Sequence, residues 1–320
     1  MPAADVPIPD GLVRLVTAHV PDPGMPSGAD WLDRLPGLVR EVLGEWDLNL
    51  DGPPAHGYSA LVLPVRSPRG PAVVKLVWPH AEGRAEHRAL QLWNGRGAVR
   101  LLAADPTRWA LLLERLDAGR TLEQEALGSA LGELTATEEL ATLLTVLDRP
   151  APPWADTLSD HLHELNADLD AALAPATTAV AYPRRMLEEA RALATDLLTD
   201  GGLDARLTHT DAHHGNVLWR PDPGEWVAID AQVRAAEPGW AFQPVLMNAW
   251  PALERATSLR QAVRTRLATL AEVTGVDSDR ARALTQVRLV RDALWELGAG
   301  TVDRDQVTRL VTVAKALAER

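Results

Sequence analysis

Cysteine is absent from the chain, which excludes disulfides and thiolate-held metals together. Positive charge is in deficit: 32 Lys and Arg stand against 44 Asp and Glu, a formal net charge of -12. That balance argues against a nucleic-acid-binding surface, whose footprint is clustered basic charge. It suits a cationic small-molecule partner, or simply a solubilising surface. No run of about 18 apolar residues occurs, so no membrane-crossing helix is expected. The opening MPAADVPIPDGLVRLV lacks the basic and apolar regions of a secretory signal, and a cytoplasmic protein is expected. What is present is a 46% apolar content over 320 residues, enough to bury one large core or two ordinary ones. Oligomeric state is not legible.

The chain reads in two parts. Tyr58 to Arg66 and Ala72 to Trp78 are β-rich runs around SPRGPA, predicting a hairpin with a longer loop. Arg84 to Trp93 places Ala85, Ala89, Leu92 and Trp93 on one helical face. GAVRLLAAD and WALLLERLD, with a turn-like DPTR between them, predict two more strands. From about Thr121 the pattern is mostly helical, including a long tail from Ala252 to Arg320. One segment interrupts it: Arg206 to Asp230 holds the runs NVLW and WVAI around RPDPGE, predicting another hairpin. The expected class is α+β, with a β-rich lobe over 1–117 carrying leading helices and a helical lobe over 118–320. Trp78, Trp93, Trp109 and Trp219 fall in apolar runs and are expected in the core.

The interrupting segment carries the chemistry. His209, Asp211 and Asn216 sit in HTDAHHGN before the hairpin, and Asp230 ends its second strand. Phosphoryl transfer needs a carboxylate to orient a hydroxyl and take its proton, oxygen ligands for Mg²⁺, a cation on the α/β-phosphates and a loop to cover them. Asp211 suits the first role, and Asn216 and Asp230 the second. The hairpin returns the chain, so both ligands can face one cation. Lys75, in the middle of AVVKLVW, is costly in so apolar a strand unless paired; Glu86 on the next helix is the expected partner, with Glu82 as the alternative. Gly57, Tyr58 and Ser59 lie in a loop that could cover phosphates, though one glycine is a poor match to a glycine-rich loop. Backbone groups from Glu114 to Leu116 are placed to bind an adenine edge. A nucleotide such as ATP, with Mg²⁺, is the implied cofactor set.

Taken singly, each residue has a plainer reading. Asp211 and Asn216 could be loop and cap residues, Asp230 a turn former, Lys75 a snorkelling edge lysine and Gly57 a turn. Their order along the chain argues for the joint reading. His209 and His213 are four apart, a zinc spacing on a helix, but Gly215 and the following strand argue against a helix there. His209 is expected to brace the loop by hydrogen bonds.

With these residues in place, the chain resembles the aminoglycoside phosphotransferases, in their streptomycin 6-kinase and hydroxyurea-resistance branch. The likeness is densest in LDGPPAHGYSALVLPV, in NGRGAVRLLAADPTRWALLLERLDAGRTL, and in HTDAHHGNVLW with WVAID. It implies a protein-kinase-like two-lobed fold, ATP and Mg²⁺ use, and phosphorylation of an antibiotic hydroxyl. By position Asp211 looks like the catalytic base, Asn216 and Asp230 like the metal ligands, and Lys75 with Glu86 like the phosphate-gripping pair. Two departures stand out. Thr210 replaces the glycine usual before the catalytic Asp, and Ala236-Glu237-Pro238 followed by Gly239-Trp240-Ala241-Phe242 replaces the usual G-D-P and later Asp. The second is expected to alter the acceptor floor, and Glu237, Asp292 and Glu296 are candidate acid groups for a cationic acceptor. A changed acceptor, such as a peptide or natural-product intermediate, or a catalytically weak pseudokinase, is the alternative reading.

Overall fold

The computed structural model describes residues 6–174, 182–298 and 302–318, without the side chains at 130 and 131. The opening five residues, and positions 299–301 and 319–320 of the expected helical tail, lie outside these. The chain divides into two compact units, Met1–Asp117 and Ala118–Arg320.

In the first unit, helices α1 (Asp10–Ala18) and α2 (Gly28–Glu45) precede the short strands β1 (Asn49–Leu50) and β2 (Ala55–His56). The hairpin β3 (Ala60–Ser67) and β4 (Gly70–Val77) follows, then α3 (Glu86–Trp93), β5 (Leu101–Asp105) and β6 (Ala110–Glu114). The sheet runs β1-β3-β4-β6-β5, with β2 paired to β3. Alternation sets its two faces. Leu61, Leu63 and Val65 of β3 and Ala72, Val74 and Leu76 of β4 are buried together with Leu12, Val16, Trp31, Leu35 and Val39 from the two leading helices. Each leucine and valine among them contributes on the order of 1.5–3 kcal/mol of transfer free energy. Lys75 falls on the opposite face by the same alternation. The β3–β4 loop is tighter than expected: Ser67 pairs with Gly70 across a two-residue turn. Gly70, at φ 119°, supplies the backbone twist that turn requires. In α3 the core-facing residues are Ala89, Leu90 and Trp93, while Leu92 is exposed; Leu90 therefore takes the place on the apolar face that the sequence suggested for Leu92.

The second unit opens with β7 (Asp117–Thr121), α4 (Leu122–Gly128) and α5 (Ala130–Leu147). A capping box starts α4, where Thr121 and Gln124 exchange side-chain and backbone bonds. Next come β8 (Arg149–Pro150), α6 (Leu158–Leu173), α7 (Arg184–Leu197), β9 (Arg206–His209), β10 (Val217–Arg220), β11 (Glu225–Ala228) and β12 (Val233–Ala235). After a 3-10 turn at Pro238–Ala241 the chain continues through α8 (Phe242–Met247), α9 (Trp250–Arg255), α10 (Leu259–Thr274), α11 (Ser278–Gly298) and α12 (Arg304–Leu317). The β10–β11 hairpin forms as expected, with Val217 opposite Ala228 and Arg220 opposite Glu225. Two features were not legible. β7 adds a third strand to that hairpin, and β8, β9 and β12 make a second small sheet.

Of the four tryptophans expected in the core, Trp78 and Trp93 are buried. Trp109 and Trp219 are only half-buried. Trp109 sits at φ 55°, and the Trp219 ring carries the Arg120 guanidinium 3.8 Å from its centroid. Among the described residues no helix is long and apolar enough to cross a membrane.

Candidate active site

The loop from Thr210 to Asn216 joins β9 to β10 and is stitched to the segment after β11 by backbone bonds on both sides. Ile229 N donates to Asn216 O at 2.9 Å, and Thr210 N donates to Gln232 O at 2.8 Å. Asp230 lies between those two ties. Its φ of 56° is left-handed, a conformation Asp tolerates better than most residues. Gln232 N closes the turn onto Asp230 O at 2.8 Å. Asn216 and Asp230 therefore make fixed backbone contacts themselves, and Asp211 follows a residue that makes one. Within the loop, Asn216 Nδ2 donates to both the backbone oxygen and Oδ2 of Asp211, at 3.0 and 3.1 Å. With its amide nitrogen held there, the Asn216 Oδ1 is the group left to act as a hard-oxygen donor.

His209 braces this arrangement from below. It is buried, its Nδ1 accepts from Asp211 N at 3.2 Å, and its Nε2 therefore carries the proton toward Ile229 O at 3.1 Å. Both ring nitrogens are committed, so His209 has none to give a metal. His213 Nδ1 accepts from Gly215 N at 3.0 Å, and the zinc reading, which needs both histidines, drops out with His209. Residues His214–Asn216 form a 3-10 turn rather than an α-helix. Desolvation holds His213 below the usual imidazole range, opposed by the charges of Glu123 and Asp230. Glu123, at the start of α4, was not singled out from the sequence; nothing in its local pattern marks it, and only the tertiary approach of α4 to the loop does. Buried His214 is pushed down to about 3 by desolvation, then by the Arg266 and His213 charges, while the nearby Asn248 amide acts the other way. The Asn248 contact falls short of hydrogen-bond geometry, since both His214 nitrogens are without a partner.

Arg288 on α11 is a second unforeseen contributor. Its Nη1 donates to Trp240 O at 2.7 Å and its Nη2 to Thr210 O at 2.5 Å, fixing the residue before Asp211. Thr210 is not among the positive-φ residues, so its β-branch carries no backbone strain, and its hydroxyl donates to Gln232 O at 3.3 Å. Trp240 and Phe242 are both buried, at 3% and 0% exposure. Both side chains pack into the unit's interior. At Gly239 a Cβ would come within 2.9 Å of Leu284 Cδ1, so a larger residue there would make that side chain shift.

The three acid groups suggested for a cationic acceptor all have internal partners. Glu237 pairs with Arg280, whose other neighbour is Asp200 at 3.4 Å; Asp292 pairs with Arg291 at 2.9 Å; Glu296 Oε1 accepts from Asp303 N at 2.7 Å.

In the first unit, Lys75 Nζ donates to both Glu86 oxygens, at 2.7 and 2.8 Å, with the two side chains 12% and 4% exposed. Lys75 is mid-sheet, opposite Val62 on β3 and Leu111 on β6. Glu86 heads α3. The loop before β3 is open: Gly57 has free space around a hypothetical Cβ and Tyr58 is 58% exposed, its hydroxyl bonded to His19. Ser59 O accepts from Trp78 N at 2.7 Å. Glu114 is turned to Arg100 N, and Leu116 follows β6 in a half-buried, irregular stretch.

Residues 45–300 match the family described as aminoglycoside/hydroxyurea antibiotic resistance kinase. The chain belongs to that family. A streptomycin 6-kinase of Streptomyces glaucescens is 38% identical over 91% of this chain and 92% of its own. A hydroxyurea phosphotransferase of Kitasatospora aureofaciens is 38% identical over 99% of this chain and 87% of its own. Among solved structures, the streptomycin-ATP-APH(2")-IIa ternary complex aligns at a TM-score of 0.53 and 13% identity, over 87% of this chain and 95% of that one. At that identity the likeness speaks for the fold, which is protein-kinase-like and α+β. The chain is accordingly an ATP-dependent kinase, an enzyme that moves a phosphoryl group onto a hydroxyl. With the catalytic loop fully tied and the tryptophan and phenylalanine departures packed inward, a catalytically weak variant of the fold is not favoured.

Proposed function

We propose that the acceptor is an aminocyclitol antibiotic such as streptomycin, that Asp211 orients its hydroxyl and takes the proton, and that the phosphoryl group comes from Mg²⁺-bound ATP. The observation that carries this reading is the Asp211–Asn216 clamp, because it fixes a carboxylate and leaves the amide oxygen of Asn216, a residue whose backbone is bonded to Ile229, the neighbour of Asp230. Among the described residues no three His, Cys, Asp or Glu form a closed metal cage. Asn216 Oδ1 and Asp230 suit Mg²⁺ on that account, since this ion is held by one or two protein oxygens, with phosphates and water completing its shell. Bound there, it supplies neutralisation of phosphate charge.

The chain's own residues do the rest. Asp211 accepts the proton as the acceptor oxygen forms its bond to the γ-phosphorus and the bond to the β-bridging oxygen breaks, leaving ADP. Lys75 grips the α/β-phosphates, oriented by Glu86, and the loop at Gly57, Tyr58 and Ser59 covers them. The strand exit from Glu114 to Leu116 offers backbone groups to the adenine edge. Glu237, Asp292 and Glu296 are weaker candidates for acceptor contacts, as each is already committed within the fold.

The test is mass-spectrometric detection of an added phosphate on a panel that includes streptomycin, other aminoglycosides and hydroxyurea. Asp211→Asn is expected to lower kcat by about 10²–10⁴-fold with ATP affinity nearly unchanged. Unaltered turnover in that variant rejects the role.

A further inference from the structure

One polar side chain in the second unit stands beside this machinery without a role. His161 lies one turn into α6, where its backbone N–H and the Arg234 guanidinium both donate to Thr157 O, at 3.4 and 3.1 Å. Its imidazole meets the Trp240 ring edge-on, with centroids 6.1 Å apart. The Arg288 guanidinium carbon lies 5.5 Å from the centroid of the same ring. Arg288 in turn holds the carbonyls of Trp240 and Thr210. His161 is thus linked through one aromatic ring and one guanidinium to the residue preceding Asp211. It is half-buried. Among the described residues no hydrogen bond to its ring nitrogens is formed, and the residue keeps some contact with solvent.

We propose that His161 is an acceptor-binding residue whose neutral imidazole hydrogen-bonds an uncharged hydroxyl on the acceptor ring, near the hydroxyl that is phosphorylated. The inference rests on the kinase reading above and names which part of the acceptor is recognised. A neutral imidazole offers one donor and one acceptor, the complement of a hydroxyl, whereas an ammonium offers donors alone. Desolvation, joined by the Arg234, Arg291 and Arg288 charges, pushes His161 down to about 3, so the ring stays uncharged through the working range. The same three guanidinium groups repel basic substituents, which favours the oxygen-bearing side of the acceptor at this position. So low a value also makes His161 a poor general base at neutral pH, leaving that task with Asp211.

The test uses the full chain, with ATP, Mg²⁺ and whichever panel acceptor gains a phosphate. His161→Phe keeps a ring against Trp240 and removes both nitrogens. It is expected to raise the acceptor KM roughly tenfold, with kcat and the ATP KM within about twofold of the unmodified enzyme. His161→Gln or His161→Asn is expected to recover most of that loss. An unchanged acceptor KM in His161→Phe, or a fall in kcat alone, overturns the proposal. Should His161→Phe fold poorly, imidazole ¹⁵N resonances of the unmodified protein titrated with that acceptor decide: a shift at His161 supports the contact and a static signal refutes it. If nothing on the panel is phosphorylated, the kinase-acceptor reading itself fails and takes this inference with it.

Discussion

Lys75 and Glu86 show how a residue pair can be costly and still retained. Two charges are buried on the sheet face opposite the first unit's core, and each offsets much of the other's desolvation. Lys75→Ala leaves Glu86 charged at 4% exposure, and a loss of roughly 3 kcal/mol in urea unfolding is expected. The double variant Lys75→Met, Glu86→Leu should be markedly more stable than that single one and equally inactive. The sequence holds only two lysines, Lys75 and Lys315, so loss of acylation by an amine-reactive nucleotide probe in Lys75→Met would assign the phosphate contact without ambiguity. His214 offers a second residue-level test. Unfolded, its imidazole binds a proton near 6.5; folded, only near 3. Below 6.5 the unfolded chain therefore holds the extra proton, so stability is full above that value and falls as pH drops. The slope from this one group is at most about 1.4 kcal/mol per pH unit. His214→Leu should flatten the acid limb of a stability–pH curve by about that amount, and an unchanged slope would show that the group titrates normally.

Elements position these residues, and α11 does so from the greatest distance in sequence. Arg288 donates to two backbone carbonyls of the second unit, one of them on the residue before Asp211. Arg288→Met should cost about 2–3 kcal/mol in thermal or urea unfolding and also lower kcat, because Thr210 loses its anchor. At the same packing surface, Gly239→Ala drives a methyl group against Leu284, with an expected loss of about 1–3 kcal/mol. The sequence revealed part of this scale and hid part. The β3–β4 and β10–β11 hairpins were legible because turn residues sit between alternating apolar runs, and Glu86 because a mid-strand lysine demands a counter-charge. The HTDAHHGN loop stood out because its residue types and spacing match what a metal-bound phosphate needs, and the structure ties it to the segment after β11. β7, β8 and β12 were not, being two to five residues long and defined by pairing with distant strands. Leu90 and Leu92 are both apolar and flank the Ala89–Trp93 stripe of α3 from opposite sides, so a helical period alone could not choose which faces inward. Glu123, Arg288 and His161 were silent because ordinary helix positions acquire meaning only from what α4, α11 and α6 approach.

At the scale of the whole molecule, the net charge of -12 is the property that the relatives' substrates make consequential. A negatively charged protein attracts a polycation over distances of about a Debye length, near 10 Å at 0.1 M salt. Of the three candidate acid groups, Glu237 and Asp292 are paired with arginines and Glu296 with a backbone N–H, so the attraction is a long-range field more than a set of contacts. A field and a contact respond differently to salt. With ATP saturating, raising NaCl from about 20 to about 300 mM should lower kcat/KM for a cationic aminoglycoside several-fold. The same change should leave an uncharged acceptor such as hydroxyurea nearly unaffected. Because steering acts on encounter, the loss should appear in kcat/KM while kcat holds. A salt effect confined to kcat, or equal for charged and neutral acceptors, would mean that the acidic surface serves solubility alone.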